Sequence, residues 1–290
     1  MKNIELRMIE IAACIYKAMK AGSCSAFGGL YSGNFGALLF LYYYADFTKE
    51  KKYTLLAEHV FDKLLIQLEN NVPGFSYSTG YAGILYLFHW LQEKKFIGLD
   101  LSDSEEIIES YMINQARNCM SVNDYDYLHG SLGVALYFLR KKPNHPFLNE
   151  FVEHLAHTAE KDSLNHTVKW KTPVGKDRIY DYYISLSHGM ASIILFLSRL
   201  LQSGKCISSG KCITLLEGCM NYILLQEIDS TQYGSYFPNK SLESSPSPMQ
   251  SRLAWCFGDS GIAWALWQAG KVIHNQQWQD KAIEIMKHAT

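Results

Sequence analysis

One short motif, which occurs five times, constrains the fold more than any other feature of this sequence. Each copy is a glycine, two further residues, a second small residue and then an apolar run, and the first glycines are Gly33, Gly80, Gly130, Gly189 and Gly258. The spacing between successive copies grows from 47 to 69 residues. Periods of this size are typical of repeat architectures, in which each unit buries its apolar face against its neighbours. We therefore predict a single domain over residues 1–290.

Two kinds of helix alternate along the chain. Residues 4–19 place apolar side chains at helical spacing with charged residues between them, which predicts a helix with one exposed face. Similar patterns fit residues 50–69, 104–120, 147–161, 211–226 and 275–289. The runs that follow the glycine motifs, such as ALLFLYYY and GILYLFHWL, are apolar nearly all round and predict covered helices. Outer and inner helices therefore alternate.

The glycines favour a closed ring over an open solenoid. A glycine at the start of each inner helix permits close approach of the backbone at the same helix end every time. We therefore predict an all-α fold, an α/α toroid in which outer helices surround inner ones. The residues expected to meet at its mouth are those that flank the glycines, namely Asp126, His129, His188, Arg252 and Cys256.

Two connections are longer than compact helix pairs need. Residues 162–185 contain a Pro-Val-Gly-Lys turn between segments rich in Val, Trp, Ile and Tyr, which predicts a small β-hairpin. Residues 227–250 are predicted to form an irregular loop just before the last motif. A loop of this length next to a site often covers it.

Composition excludes several functional classes. The net charge is −1, so no broad basic field exists to attract nucleic acid. No apolar run reaches the roughly 18 residues of a membrane span, and the charged N-terminus lacks a signal-peptide core. A cytoplasmic location is the expectation. The seven cysteines, without a CxxC pair, predict buried single thiols rather than a disulfide framework.

With these motifs in view, the sequence resembles the lanthionine synthetase C-like (LanC) family. The marks are SHG at Ser187–Gly189, the R-x-x-W-C-x-G-x-x-G run at Arg252–Gly261, Asp126 four residues before Gly130, and the fivefold repeat itself. A single GxxG is a weak signal, whereas five in register with His, Arg and Cys at matching places are specific. The resemblance covers essentially the whole chain.

The resemblance implies a toroid of seven helical pairs with a zinc ion at its mouth. One ligand would come from a WCxG motif, which Cys256 matches, and two from a Cys-His pair in the following repeat, which this sequence does not contain. About five of the seven inner helices are present by pattern. The expectation is therefore a C-terminally incomplete toroid that supplies one of the three zinc ligands.

The activity implied by the resemblance is thioether ring formation in lanthipeptide biosynthesis. The thiolate of a peptide cysteine adds to dehydroalanine or dehydrobutyrine in a precursor peptide that a separate dehydratase has modified. His188 is the candidate general acid, because an imidazole exchanges protons near neutral pH. Asp126 could orient that imidazole or take the thiol proton, and Arg252 could hold the enolate oxygen or the Asp126 carboxylate. Phe257 stands where several family members have tyrosine.

Other interpretations remain open at this stage. Asp126 and Arg252 could be a structural ion pair, and His129 is left out of the catalytic set because the family match does not require it. A non-catalytic module that binds a peptide or a thiol is the alternative function, since the zinc ligands are incomplete. Glycosidases and terpenoid cyclases share the toroid, but their paired carboxylates or aspartate-rich motif are not evident here.

Overall fold

A computed structural model describes residues 2–21, 28–31, 33–175, 177–245 and 250–288. The chain divides into two compact units, residues 1–112 and 113–290, and each is described by itself below. The single-domain interpretation stays a prediction. Within the described residues, no helix is both long enough and apolar enough to cross a membrane.

The first unit is built from helices alone in its described part. They are α1 (Lys2–Lys20), α2 (Asn34–Thr48), α3 (Lys51–Asn70), α4 (Tyr81–Glu93) and the start of α5 (Ser102–Met120). Helix α2 packs against α1, α3 and α4. Helix α4 buries side chains on several faces and α3 buries a single stripe, as predicted. Helix α2 leaves Tyr43 and Phe47 exposed, so it is less completely covered than its apolar run predicts.

The second unit contains the end of α5, the remaining helices and all described strands. They are α6 (Ser131–Lys141), α7 (Pro146–Thr158), β1 (Glu160–Asp162), β2 (Thr167–Lys169), β3 (Thr172–Val174), β4 (Ile179–Asp181), α8 (Met190–Gln202), α9 (Ser209–Leu224), α10 (Ser230–Tyr233), α11 (Asp259–Val272) and α12 (Gln276–His288). Helix α8 is the centre of this unit and packs against α6, α9 and α11. Ten of its thirteen residues are buried, as its largely apolar sequence predicts.

The segment predicted as one hairpin forms two. Strands β1 and β2 pair antiparallel with Glu160 opposite Lys169, and β3 and β4 pair with Thr172 opposite Asp181. Pro173, Val174 and Gly175 of the predicted turn belong to the second hairpin, where Gly175 has φ +80°, and Lys176 lies outside the described residues. The first hairpin starts before the predicted range, because three-residue strands are too short to show an alternating pattern.

The segment predicted as an irregular loop, residues 227–250, is largely irregular. It contains the one-turn helix α10 and an isolated bridge between Pro238 and Gln250. Residues 246–249 of this segment lie outside the described residues.

The two small residues of each motif have a steric purpose. A Cβ atom on Gly80 would lie 2.2 Å from the Gly74 carbonyl oxygen, and one on Gly83 would lie 2.0 Å from the Tyr77 carbonyl oxygen. The partner is six residues earlier in both cases, so the loop folds back under the first turn of the helix. At Gly258 the corresponding distance is 1.8 Å and φ is +153°, a region that side chains disfavour. Glycine is required at these three positions because the backbone approaches so closely.

Neighbouring motif loops are joined by main-chain hydrogen bonds. In the first unit the Tyr31 amide donates to the Ser78 carbonyl at 3.1 Å. In the second unit the Tyr127 amide donates to the Ser187 carbonyl at 3.2 Å, and the Ser187 amide donates to the Cys256 carbonyl at 3.4 Å. Each of the five inner helices begins directly after its motif glycine, as predicted. The loops of each unit therefore gather at one end of its inner helices.

Candidate active site

The predicted site residues lie in three neighbouring loops of the second unit. Asp126 precedes α6, His188 precedes α8, and both Arg252 and Cys256 precede α11. The hydrogen bonds from Tyr127 to Ser187 and from Ser187 to Cys256 hold these three loops side by side. Residues that are 62 and more positions apart in sequence are thereby brought to one region.

Asp126 and His188 form the central contact of this region. The Nδ1 atom of His188 lies 2.5 Å from Oδ2 of Asp126. The other carboxylate oxygen, Oδ1, accepts the amide N–H groups of Leu128 at 2.7 Å and His129 at 2.8 Å. Asp126 is only 5% exposed, so these donors compensate for the loss of water around its charge. The carboxylate is fixed, and it fixes the imidazole in turn.

This contact determines which nitrogen of His188 can act on a substrate. A carboxylate next to Nδ1 places the imidazole proton on that atom, because an ionised carboxylate can only accept. The Nε2 atom is then the one that gains or loses a proton. Hydrogen bonding of one ring nitrogen is the usual way in which a protein selects the reactive tautomer of the other.

Two aromatic rings lie against the His188 imidazole. The Phe257 ring centroid is 5.1 Å away, and the exposed His129 ring is nearly parallel to it at 6.2 Å. Phe257 offers packing but no hydroxyl. The sequence predicted His129 at the mouth but outside the catalytic set, and the structure places its ring next to that of His188, on the same turn as Asp126. His129 stands directly before the motif glycine Gly130, as His188 stands before Gly189, and this shared position was the available signal.

Cys256 is joined to the segment before His188 through its backbone. Its carbonyl oxygen accepts the Ser187 hydroxyl at 3.0 Å as well as the Ser187 amide, and its side chain is partly exposed. Arg252 is exposed, and the stretch between it and Cys256 is not helical. Among the described residues, Arg252 has no ion pair with Asp126, whose carboxylate pairs with His188 instead.

The donors present do not make a complete zinc site. Cys256 is a suitable ligand by chemistry, since zinc prefers thiolate and imidazole ligands in sets of three or four. However, the described part of the chain contains no group of three or more His, Cys, Asp or Glu side chains placed to hold one ion. We therefore derive no catalytic step through a metal.

A second buried carboxylate, that of Asp124, is hydrogen-bonded to the backbone of the Asp126 turn. Asp124 accepts the Asp126 amide at 3.3 Å, and its backbone carbonyl accepts both the amide and the hydroxyl of Ser131. Burial raises the pKa of the Asp124 carboxyl above its ordinary value, although Arg178 lies 3.3 Å away. Asp124 thus connects the Asp126 loop to the first turn of α6.

Comparisons with known proteins identify the family of this chain and a solved structure with a similar fold. A family model described as "Lanthionine synthetase C-like protein" matches residues 28–290. A solved structure titled "Nisin cyclase" superposes with a TM-score of 0.74 at 18% sequence identity, covering 100% of this chain and 76% of that one. No curated protein matches the chain by sequence. The structural likeness confirms the predicted fold class, an all-α toroid of outer and inner helices.

Proposed function

Because this chain belongs to the lanthionine synthetase C-like family, we propose that it forms thioether rings in a precursor peptide. The substrate is a peptide in which cysteine thiols and dehydroalanine or dehydrobutyrine residues are both present. The observation that supports this most directly is the Asp126–His188 contact, which equips the mouth of the inner helices with an oriented proton-transfer group.

The proposed reaction is an addition in which one proton moves from sulfur to carbon. The Nε2 atom of His188 takes the proton of the substrate thiol, and the Asp126 carboxylate stabilises the resulting imidazolium. The thiolate attacks the β-carbon of the dehydro residue, and the electron pair of the double bond moves into an enolate. His188 then returns the proton to the α-carbon, so that atoms and charge balance and the residue ends as it began.

The enolate oxygen needs a positive partner while it carries charge. Arg252 is the proposed partner, because its guanidinium is exposed, permanently charged and able to donate two parallel hydrogen bonds. Lysine could not reproduce that planar fork. Phe257, which packs on His188, would help to exclude water from the imidazole.

Zinc dependence stays a proposal of its own. Cys256 is the residue that would bind zinc, and a bound zinc would lower the pKa of the substrate thiol. The described residues supply this one ligand, so a full site would require donors that they do not include. A separate dehydratase as partner and a cytoplasmic location are likewise proposals that follow from the family.

The test uses a synthetic peptide with one cysteine and one dehydroalanine. Ring closure leaves the peptide mass unchanged, so the products are treated with iodoacetamide, which adds mass only to peptides whose thiol is still free. We expect the alkylated fraction to fall with time in the presence of the protein, with and without added zinc compared in parallel. An alkylated fraction equal to that of a protein-free control in both conditions would contradict the proposal.

The alternative is a module that binds the peptide without closing rings, and the incomplete zinc donor set favours it. A peptide with serine in place of the reactive cysteine separates the two functions. Binding of this analogue by calorimetry together with an unchanged thiol titre of the reactive peptide would identify a binder. Ring closure that is lost in His188→Ala would identify the enzyme.

A further inference from the structure

Two cysteine thiols that the proposed reaction does not use lie close together in the second unit. Cys206 is in the turn between α8 and α9, and Cys212 is in the first turns of α9. Their Sγ atoms are 3.0 Å apart. That is only about 1 Å longer than the bond of a disulfide, so a small rotation of the side chains could close it.

The two thiols differ in their access to solvent. Cys206 is partly exposed, whereas Cys212 is buried. A pocket of about 60 Å³ opens beside Cys206 and is also lined by His145 and Lys205. Cys206 is therefore open to a reagent from solvent, whereas Cys212 is shielded from it.

A metal site is a poorer interpretation of this pair. Soft metal ions would need further sulfur or nitrogen ligands, and no third donor completes such a group among the described residues. A pair of thiols without a third donor is suited to oxidation instead.

We propose that Cys206 and Cys212 form a redox-sensitive thiol pair, which low-molecular-weight disulfides such as oxidised glutathione convert into an intramolecular disulfide. The thiolate of Cys206 attacks one sulfur of the reagent and releases one equivalent of reduced thiol, which leaves a mixed disulfide on Cys206. The Cys212 sulfur gives its proton to solvent, attacks Cys206 Sγ and releases the second reduced thiol. Two protein thiols are oxidised and one reagent disulfide is reduced.

The order of attack follows from the surroundings of each sulfur. Burial raises the pKa of the Cys212 thiol, and the neighbouring Cys206 adds to this effect. A buried thiol with a raised pKa is a poor first nucleophile. Cys212 is nevertheless well placed for the second step, because the mixed disulfide on Cys206 would lie within contact distance of it.

The pair lies at the far end of α8 from His188, which directly precedes that helix. Oxidation would therefore tie the α8–α9 connection to α9 without touching the Asp126–His188 contact. The inference is independent of the proposed ring-forming activity, and its test needs no substrate.

Mass spectrometry of the folded chain tests the proposal. The protein is incubated with oxidised glutathione, free thiols are blocked, and the chain is cut with trypsin without reduction. Cleavage after Lys205, Lys211 and Lys240 puts Cys206 and Cys212 in different peptides, 206–211 and 212–240. The second peptide also contains Cys219, which carries the blocking group. We expect the two peptides to be joined and, with that one blocking group counted, lighter than their sum by two hydrogen atoms. Recovery of both peptides unjoined, with blocked thiols, would overturn the proposal.

Single substitutions test the order of the two steps. In Cys212→Ser, Cys206 should accumulate as the mixed disulfide with glutathione, because no second thiol removes it. In Cys206→Ser, Cys212 should remain an unmodified thiol. Glutathione on Cys212 in the second variant, or none on Cys206 in the first, would contradict the proposed roles. Cys219→Ser on the same helix is the matched control and should leave the 206–212 cross-link unchanged.

Thermal unfolding gives a second readout. A disulfide across this short loop is expected to raise Tm by about 5 °C, because it restricts the unfolded chain. Dithiothreitol should reverse the increase in the wild type. The increase should be absent from both Cys206→Ser and Cys212→Ser, and an equal increase in either variant would show that another thiol is responsible.

Discussion

Among the predicted site residues, Asp126 is the one whose side chain is held by several hydrogen bonds. Two backbone amides and one imidazole nitrogen converge on its carboxylate, at distances between 2.5 and 2.8 Å. Its two candidate roles can therefore be weighed against each other. A carboxylate whose oxygens are all engaged is suited to orienting His188, whereas removal of a thiol proton would require an oxygen that is free to face the substrate.

The substitution Asp126→Asn tests this interpretation. An asparagine can accept through one oxygen only, so it cannot serve the amides and His188 Nδ1 together. We expect ring closure to fall about 100-fold or more, as in other enzymes that lose the group orienting a catalytic histidine. The measurement is the rate at which peptide thiols become resistant to alkylation. A rate within twofold of the wild type would rule out the orienting role.

His129 permits a test of ring packing against proton transfer. Its ring lies nearly parallel to that of His188 and can restrict the motion of that imidazole. We expect His129→Ala to slow ring closure about 10-fold, in the lower range for loss of a positioning contact. His129→Phe, which keeps a flat ring but cannot exchange protons, should restore most of the rate. If phenylalanine were as damaging as alanine, packing would not explain the effect.

For single residues, the sequence predicted correctly which side chains lie near each other. It did not predict which of them form a hydrogen bond. The register of the repeats brought Asp126 and His188 to neighbouring loops, because equivalent positions of stacked repeats must be close. The pairing of Asp126 with His188 rather than with Arg252 depends on side-chain directions, which spacing does not encode. Burial of individual cysteines was also overestimated, since only Cys212 and Cys219 are buried among the six described, and Cys24 lies outside the described residues.

At the scale of single elements, the first glycine of a motif can be tested against another glycine of the same loop. Gly80→Ala would press a Cβ atom to 2.2 Å from the Gly74 carbonyl oxygen, whereas a Cβ atom on Gly74 would meet nothing within 4 Å. We expect Gly80→Ala to lower the free energy of unfolding by about 3 kcal/mol, the upper range for overpacking. Gly74→Ala should change it by less than about 1 kcal/mol. Urea unfolding followed by circular dichroism measures both, and equal effects would contradict the steric explanation.

The elements themselves were predictable to different degrees. Inner helices were evident from sequence because a motif marks where each begins and an apolar run fills it, and α8 shows how completely such a run is buried. The hairpins were only partly evident. Strand β1 has the sequence EKD, which carries no β-forming pattern, and it exists because β2 packs on α9 and offers an edge to pair with. Strand β1 therefore forms because of its tertiary contacts and not because of its own sequence.

At the scale of the whole chain, His154 predicts how stability depends on pH. Its Nε2 atom is buried and has no hydrogen-bond partner among the described residues, and burial lowers the pKa of the imidazole below 6.5. The unfolded chain therefore binds more protons than the folded one between that lowered pKa and 6.5. The free energy of unfolding should fall as the pH drops below about 6.5.

The matched variant for this prediction is His154→Phe, which keeps a ring of similar size but does not titrate. Urea unfolding between pH 5 and pH 7 should give a smaller loss of stability on the acid side for the variant than for the wild type. An identical pH dependence of the two proteins would show that His154 is not the group responsible.

The hydrogen bonds that run from loop to loop have a consequence for how such proteins diverge. They use amide and carbonyl groups, which almost every amino acid provides, so the spacing of the loops is inherited without any particular side chain. A shared fold at 18% identity is compatible with that arrangement. Random replacement of the loop side chains, with the glycines retained, should therefore leave most variants folded. The chemical reactivity of the site should change more often than the fold.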